Sequence, residues 1–234
     1  EDKIIKFENF KKDFLNKNFQ NIVIKNIWEL IDEFNISTKV INDLFDGINS
    51  DIKERVELKS KKELLIYSYR VAGTVGLMMA KILKVNKTNS LKSAIDLGIA
   101  MQLTNISRDV IEDKNNKRIY INENFNDIKS TISLSEKFYE NSFYSIKEIP
   151  LSFRFSILVA RRVYRKIGHK IINKNNLENY KNSGKIYVTK IEKIIETFLS
   201  IFDLIILTFT NKNDNNIEHD HSLINEEINL NERF

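Results

Sequence analysis

Two aspartates and two amides stand at helical spacing in residues 99–120, IAMQLTNISRDVIEDKNNKRIY. An α-helix turns by about 100° per residue, so these four polar side chains fall within an arc of roughly 80°. They are Gln102, Asn105, Asp109 and Asp113. An apolar stripe lies directly beside that arc and consists of Ile99, Leu103, Ile106 and Val110. Carboxylates on a surface helix normally lie opposite its apolar face. Their position here predicts that the polar arc faces a partly enclosed space.

Asp109 and Asp113 are one helical turn apart, where like charges disfavour the helix unless a counter-charge is present. Mg²⁺ relieves such a conflict, because it is commonly held by one or two carboxylates together with water and substrate phosphates. Asn105 adds a carbonyl oxygen, and Arg108 and Arg118 offer fork-shaped donors that suit phosphate. The residue types therefore indicate a Mg²⁺–diphosphate site. Spacing alone also fits a solvated helix end with ordinary charges, since acids four residues apart are common.

The same stretch resembles a known protein family. QLTNISRDVIEDKNNKRIYI, residues 102–121, is similar to the second aspartate-rich motif of the squalene and phytoene synthase family. YSYRVAGTVG, residues 67–76, is similar to that family's tyrosine–glycine helix. The resemblance covers nearly the whole chain and is clearest from residue 43 to residue 121. It implies an all-α fold, an isoprenoid-synthase-type helical bundle around a central apolar cavity.

The resemblance also implies roles for individual residues. The implied metal ligands, for Mg²⁺ or alternatively Mn²⁺, are Asn105, Asp109 and Asp113. The implied catalytic residues are Tyr67 and Arg108, although Tyr67 taken alone also fits a core tyrosine with a satisfied hydroxyl. The residues implied to contact diphosphate or prenyl chain are Gln102, Asn105, Arg108, Arg118, Tyr164 and Lys185. Lys185 stands where relatives usually have an arginine, and lysine lacks the bidentate fork.

The activity that the resemblance implies is the head-to-head condensation of two prenyl diphosphates through a cyclopropyl diphosphate. The first choice is the conversion of geranylgeranyl diphosphate to phytoene in carotenoid biosynthesis. The VAGTVGLMMA and RDVIEDKNNKRIYI patterns look like those of bacterial phytoene synthases. A squalene or dehydrosqualene type of synthase that uses farnesyl diphosphate is the nearest alternative, because one sequence does not give the depth of the cavity. A non-catalytic family member that acts in assembly or interaction is the other alternative.

Only one aspartate-rich motif is present in the sequence, whereas the family's chemistry uses two that face each other across the cavity. Judged from the motif spacing, the first motif should end just before Glu1, so the chain resembles a family member without its N-terminal part. We therefore expect these 234 residues alone to be inactive. Three aspartates on an earlier helix, Asp43, Asp46 and Asp51, are expected to be solvated rather than metal ligands.

Composition and charge limit the other classes of function. One proline, six glycines and 42% hydrophobic residues favour long helices over a turn-rich β fold. A formal net charge of +5, spread along the chain, is no nucleic-acid footprint, so we expect no nucleic-acid partner. The sequence has no cysteine, which excludes disulfides and thiolate metal sites and fits a cytoplasmic protein. The longest apolar run, residues 198–209, is too short to span a bilayer, so we expect it to form a buried helix, with a peripheral membrane contact as the alternative.

The chain divides by composition into two parts. We expect one helical domain at residues 1–210 and a polar, flexible tail at residues 211–234. The tail contains His219, Asp220 and His221, which resemble a metal cluster only superficially and are expected to have no function.

Two helices in the domain carry local signals of their own. The helix predicted at residues 61–83 contains Gly73 and Gly76, and each interior glycine costs about 1 kcal/mol relative to alanine. Tight packing against another helix or space for a prenyl chain would explain these glycines. Ser133 with Glu136 has the spacing of a capping box and predicts the start of a helix that ends near residue 146.

Overall fold

Helices make up nearly all of the regular structure in residues 2–210 and 219–234, the part of the chain that this computed structural model describes. The α-helices are α1 Asp2–Leu15, α2 Ile22–Phe34, α3 Thr38–Asp51, α4 Lys61–Ser68, α5 Thr74–Ile82, α6 Thr88–Asn115, α7 Phe125–Ser142, α8 Leu151–Ile172, α9 Leu177–Asn182, α10 Lys190–Phe209 and α11 Ser222–Asn225. The shorter elements are the strands β1 Val56–Glu57 and β2 Arg118–Ile119 and the 3₁₀ turns Tyr144–Glu148 and Leu230–Glu232. The prediction of an all-α fold is confirmed.

A π-helical segment, Tyr69–Gly73, joins α4 to α5, so the helix predicted at residues 61–83 is continuous but locally widened. π-Helical segments are rare in proteins, and those that do occur are often found at functional sites. Ser60 caps the start of α4 by accepting a hydrogen bond from the Glu63 backbone N–H at 3.1 Å. The cap fixes where the tyrosine–glycine motif enters the bundle.

α6 is the helix against which the others pack, because it contacts α4, α5, α7, α8 and the π-helical segment. The predicted apolar stripe is its core-facing side: Ile99 and Leu103 are fully buried, and Val110 is nearly so. The polar arc lies at the edge of this stripe. The position of α6 in the bundle therefore brings that arc to a concave surface.

Two glycines explain how closely α6 approaches its neighbour. A Cβ atom on Gly76 would stand 2.2 Å from the Ala94 carbonyl oxygen, and one on Gly98 would stand 2.3 Å from the Ala72 carbonyl oxygen. Real side chains do not tolerate such distances, so only glycine allows the two backbones to touch. Of the two explanations for the glycines, tight helix packing is therefore the one that the structure supports directly.

A short parallel sheet positions the end of the aspartate motif. Val56 pairs with Arg118 and Glu57 with Ile119. The Val56 N–H donates to the Lys117 carbonyl at 3.1 Å. This pairing holds the residues that follow α6 beside the C-terminal end of α3.

The last sixteen residues pack on the bundle, so the prediction of a flexible tail is wrong for residues 219–234. α11 lies against α4. Ile224, Ile228 and Leu230 are buried in the main core, although the composition of this segment is polar. Residues 211–218 lie outside the described part of the chain.

Asp43 is buried, in contrast to the prediction of a solvated carboxylate. Its oxygens accept hydrogen bonds from the Tyr69 hydroxyl at 2.8 Å and from the Arg233 guanidinium at 2.9 and 3.0 Å. The charge is tolerated because a guanidinium from the C-terminal segment pairs with it, as buried charges require.

The start of α7 also differs from the prediction at Ser133. The helix begins at Phe125, and Asn124 caps it by accepting a hydrogen bond from the Asp127 N–H at 2.8 Å. An asparagine cap with an acid in the first turn is as strong a start signal as the serine box. Ser133 and Glu136 therefore lie inside the helix.

α10 turns its polar side inward and its apolar side outward. Glu196 and Asp203 are nearly buried and accept hydrogen bonds from Arg162 of α8 at 2.9 and 3.0 Å. Most of the exposed residues of this helix are large and apolar: Ile191, Ile194, Ile195, Phe198, Ile201, Phe202, Ile205, Ile206 and Phe209. The prediction that residues 198–209 form a buried helix is therefore wrong. In the described part of the chain, no helix combines the length and the hydropathy needed to cross a membrane.

Candidate active site

A polar pocket of about 360 Å³ opens at the C-terminal half of α6, and we call it the mouth. The residues that line it are Asp51, Tyr67, Gln102, Asn105, Ile106, Arg108, Asp109, Asp113, Arg118 and Tyr120. Seven of these were predicted as site residues from the sequence. The helical period of α6 and the β1–β2 pairing are what bring them together.

The carboxylates of the mouth repel one another. Burial, followed by the charges of Asp109 and Glu112, raises the pKa of Asp113 from 3.8 to about 6, while Arg118 and Lys185 act in the opposite direction. A carboxyl in such surroundings favours a proton or a cation over free ionisation. Asp113 is therefore suited to take up a cation.

Basic side chains flank Asp109. The Arg108 guanidinium donates to both carboxylate oxygens, with Nε–Oδ1 at 2.8 Å and Nη2–Oδ2 at 2.5 Å. This bond raises the pKa of Arg108. Lys185 Nζ lies 3.4 Å from Asp109 Oδ1 and 2.7 Å from Glu112 Oε2. Lys185 thus reaches the edge of the carboxylate set without lining the mouth itself.

Two polar atoms around the mouth are buried and have no hydrogen-bond partner within the described residues: Asn105 Oδ1 and Arg118 Nη1. An orphaned buried polar atom is costly and calls for an explanation by a ligand, an ion or water. A carbonyl-type oxygen next to two carboxylates is a hard donor set that fits Mg²⁺. A free guanidinium N–H beside it fits an anion.

A group of two tyrosines and one aspartate forms the opposite wall of the mouth. Asp51 Oδ1 accepts hydrogen bonds from Tyr67 at 2.9 Å and from Tyr120 at 3.1 Å. The two rings stack with centroids 4.7 Å apart. Burial raises the pKa of Tyr67 far above its ordinary value, with further contributions from Tyr120 and Asp51, and burial raises the pKa of Tyr120 to about 12. Both phenols are therefore neutral at physiological pH.

Asp51 and Tyr120 are the mouth residues that sequence reasoning missed as site residues. Asp51 was expected to be solvated, but it holds both phenols and its carbonyl accepts from Arg118 Nη2 at 2.5 Å. No local period links it to Tyr67, sixteen residues away. Tyr120 belongs to the RIYI ending of the motif, and that membership was the only available signal. Tyr67 lines the mouth and also has the satisfied hydroxyl of a core tyrosine.

An apolar pocket of about 410 Å³ continues from the mouth along α6. Gln102 and Asn105 line both spaces. Tyr164 lies on the apolar pocket and not in the mouth, as do Val71 and Ala72 of the π-helical segment. The volume of the apolar pocket is typical of sites that bind small molecules. A polar mouth that leads into an apolar pocket suits a molecule with a charged head and a hydrocarbon tail.

The histidines of the C-terminal segment form a separate cluster with Asp96 of α6. Asp96 and both histidine side chains are nearly fully buried. His219 Nδ1 lies 2.6 Å from Asp96 Oδ2, and His221 Nε2 lies 2.5 Å from Asp96 Oδ1. Two ligands of one tetrahedral zinc ion would stand about 3.3 Å apart, so these separations are those of hydrogen bonds.

This cluster clamps the C-terminal segment to the bundle, so its histidines do not lie in a flexible tail as predicted. Asp96 lies thirteen residues before Asp109 on α6, which is about 20 Å along the helix axis. The clamp is thus distant from the carboxylates of the mouth.

Comparison with known proteins agrees with this geometry. Residues 8–126, just over half of the chain, match the family described as Squalene/phytoene synthase. The chain belongs to that family.

Two relatives show how far the sequence similarity extends. The 15-cis-phytoene synthase of Enterobacter agglomerans is 35% identical over 147 residues, which cover 54% of this chain and 50% of that protein. The 15-cis-phytoene synthase of Paracoccus sp. is 34% identical over 170 residues, which cover 65% of this chain and 55% of that protein. The chain thus spans about half the length of the curated relatives it matches.

Two solved structures share the family fold. A dehydrosqualene synthase in complex with a ligand superposes with a TM-score of 0.68 at 26% identity, over 85% of this chain and 77% of that one. Squalene synthase HpnC from Alicyclobacillus acidocaldarius gives 0.61 at 14% identity, over 74% and 73% of the two chains, and this likeness concerns the fold alone. The predicted isoprenoid-synthase-type bundle is therefore confirmed.

Proposed function

We propose that the protein carrying this chain condenses two prenyl diphosphates head to head, with geranylgeranyl diphosphate as substrate and phytoene as product. The observation that carries the proposal is the junction of mouth and apolar pocket at Gln102 and Asn105. A diphosphate suits the charged side of that junction and a prenyl chain the other. The bacterial relatives named phytoene synthase support the choice of substrate, and the dehydrosqualene synthase structure supports farnesyl diphosphate as the alternative.

Asn105, Asp109 and Asp113 are the residues that would hold Mg²⁺, or Mn²⁺ in its place, because their oxygens form a hard donor set with one unpartnered member. Bound Mg²⁺ supplies neutralisation of the diphosphate and Lewis-acid assistance to its departure. Arg118, with its free N–H, and Lys185 would contact diphosphate oxygens. Arg108 would exchange its bond with Asp109 for a bond with the diphosphate, since a guanidinium fork fits either anion.

The wall formed by Tyr67 would act on the hydrocarbon part of the reaction. Loss of diphosphate leaves an allylic cation, and the phenol oxygen of Tyr67, backed by the Asp51 carboxylate, presents negative potential to it. The stacked Tyr120 ring restricts the phenol to one orientation. Apolar side chains of the pocket would exclude water, which would otherwise quench the cation, through the cyclopropyl diphosphate stage and its rearrangement.

The test is Mg²⁺-dependent binding of geranylgeranyl thiodiphosphate, an analogue that resists ionisation, measured by calorimetry. Wild-type protein should bind it with Mg²⁺ and lose most affinity with EDTA, and Asp109→Ala should behave like the EDTA sample. Asp127→Ala, an acid on α7 outside the mouth, is the matched control and should bind normally. Absence of binding to the wild type would instead favour the non-catalytic alternative.

Turnover by these residues alone is not expected. In residues 2–210 and 219–234, the acids of the mouth are Asp51, Asp109 and Asp113, and the described chain supplies no second pair of aspartates at helical spacing across from α6. The family's chemistry needs such a pair. Formation of phytoene or squalene by the isolated 234 residues would contradict this expectation.

We also propose a cytoplasmic location with a peripheral membrane contact. The outward apolar face of α10 supports the membrane contact, because such a face can lie at the boundary of a lipid surface. Flotation with phospholipid vesicles should recover the wild type in the lipid fraction. Equal recovery of a Phe198→Asp, Phe202→Asp double variant would show that α10 is not the contact.

A further inference from the structure

The apolar pocket follows one face of α6 from the mouth towards the helix start. The residues of α6 that line it are Ser90, Ser93, Ala94, Leu97, Gly98, Met101, Gln102 and Asn105. Ala94, Met101 and Asn105 fall within about 40° of one another on the helical wheel. A chain lying in the pocket would therefore run parallel to the helix axis, and position along α6 measures depth.

The helical rise converts this order into distances. Ala94 lies eleven residues before Asn105, or about 16 Å deeper, and Ser90 lies fifteen residues before it, or about 22 Å deeper. Asn105 marks the boundary between mouth and pocket. The first carbon of a bound prenyl chain belongs at that boundary, because its diphosphate lies in the mouth.

Extended prenyl chains have lengths that bracket the depth of Ala94. With C–C bonds of ~1.5 Å in a zigzag, a farnesyl chain extends about 14 Å and a geranylgeranyl chain about 19 Å. The shorter chain would end before Ala94 and the longer chain would pass it. The longer chain would still end before Ser90.

Two serines line the deep end of the pocket together with larger apolar residues such as Leu83 and Ile146. Ser93 and Ser145 lie there and are hydrogen-bonded to each other at 2.5 Å, which occupies their hydroxyls and leaves room for hydrocarbon. Ala94 is partly buried and lines the pocket. Gly98 is also small, but a larger residue there would collide with the Ala72 carbonyl. Position 98 therefore cannot be varied to change the depth of the pocket.

We propose that Ala94 is a specificity-determining residue, whose methyl side chain admits the fourth isoprene unit of a C20 prenyl diphosphate. The proposal rests on the proposed function, since it assumes that prenyl diphosphates occupy the mouth and pocket. A large side chain at position 94 would close the pocket between the ends of the C15 and C20 chains. The result would be selection for the C15 substrate.

The experiment compares farnesyl and geranylgeranyl thiodiphosphates by calorimetry, in the presence of Mg²⁺, on wild type, Ala94→Phe and the matched control Ala94→Ser. Ala94→Phe should weaken C20 binding by more than about tenfold, because the last isoprene unit loses its burial, and should leave C15 binding within about twofold. Ala94→Ser adds little volume and should bind both analogues like the wild type. Circular dichroism confirms that each variant is folded, and Ala94→Leu replaces Ala94→Phe if the latter is not.

The outcomes separate the two proposals. If Ala94→Phe weakens both analogues equally, or neither, Ala94 does not determine chain length although the prenyl site stands. If the wild type binds neither analogue, the proposed function fails and this inference fails with it.

Discussion

Replacement of Asp113 by asparagine should stabilise the metal-free protein and at the same time remove its Mg²⁺ binding. Burial and the neighbouring carboxylates Asp109 and Glu112 raise the pKa of Asp113 from 3.8 to about 6. At ~1.4 kcal/mol per pKa unit, this rise corresponds to about 3 kcal/mol of unfavourable free energy in the folded, ionised state. Because the side chain is only partly buried, solvent screening reduces the expected effect to about 1–2 kcal/mol.

The pH dependence has a definite sign. The folded state binds the Asp113 proton more tightly than the unfolded chain does, so the carboxylate lowers stability at neutral pH. This destabilisation declines as the pH falls from about 6 to about 4. Asp113→Asn should therefore raise the free energy of unfolding by about 1–2 kcal/mol near neutral pH and by roughly half as much near pH 5.

Urea unfolding followed by circular dichroism, without Mg²⁺ and then with excess Mg²⁺, measures both effects. Mg²⁺ should stabilise the wild type, because it binds the native state, and should not stabilise Asp113→Asn. Glu112→Gln is the matched control, since it removes an exposed acid from the same turn and should change stability by less than about 1 kcal/mol. An Asp113→Asn variant less stable than the wild type without metal at neutral pH would refute the reasoning.

Two further substitutions test the packing of the bundle. Asp96→Asn should lower the free energy of unfolding by about 3–5 kcal/mol, because it leaves two buried imidazoles without their carboxylate. The neighbouring Asp220→Asn, which loses an exposed bond to a serine, should change it by less than about 1 kcal/mol in the same urea titration. Gly76→Ala should lower the melting temperature through an overpacking cost of about 1–3 kcal/mol, since its methyl would meet the Ala94 carbonyl. Gly168→Ala, a helical glycine whose new methyl would meet only the Ile132 side chain at 3.3 Å, should melt close to the wild type; equal losses in both variants would argue against backbone contact at Gly76.

Helical periodicity was enough to predict the acidic side of the mouth. Gln102, Asn105, Asp109 and Asp113 share one face whatever surrounds them, because the backbone geometry of a helix fixes the direction of each side chain. The structure places all four at the mouth. The apolar stripe beside them identified the buried side of α6 for the same reason.

The other wall of the mouth could not be predicted in this way. Asp51 meets Tyr120 across 69 residues of sequence, through the pairing of two strands of only two residues each. Strands this short have no alternation that can be recognised in a sequence. A carboxylate that appeared solvated therefore became the acceptor for both phenols.

The sequence by itself determined which residues share a helix face, and hence the carboxylate set, the apolar stripe and the all-α class. Those are consequences of bonds and dihedral angles between near neighbours. Tertiary structure alone decided that His219 and His221 reach Asp96 across more than a hundred residues, and that the polar side of α10 turns inward. Such pairings depend on how whole helices pack, and the free energy of each is small compared with that of the packing that creates it.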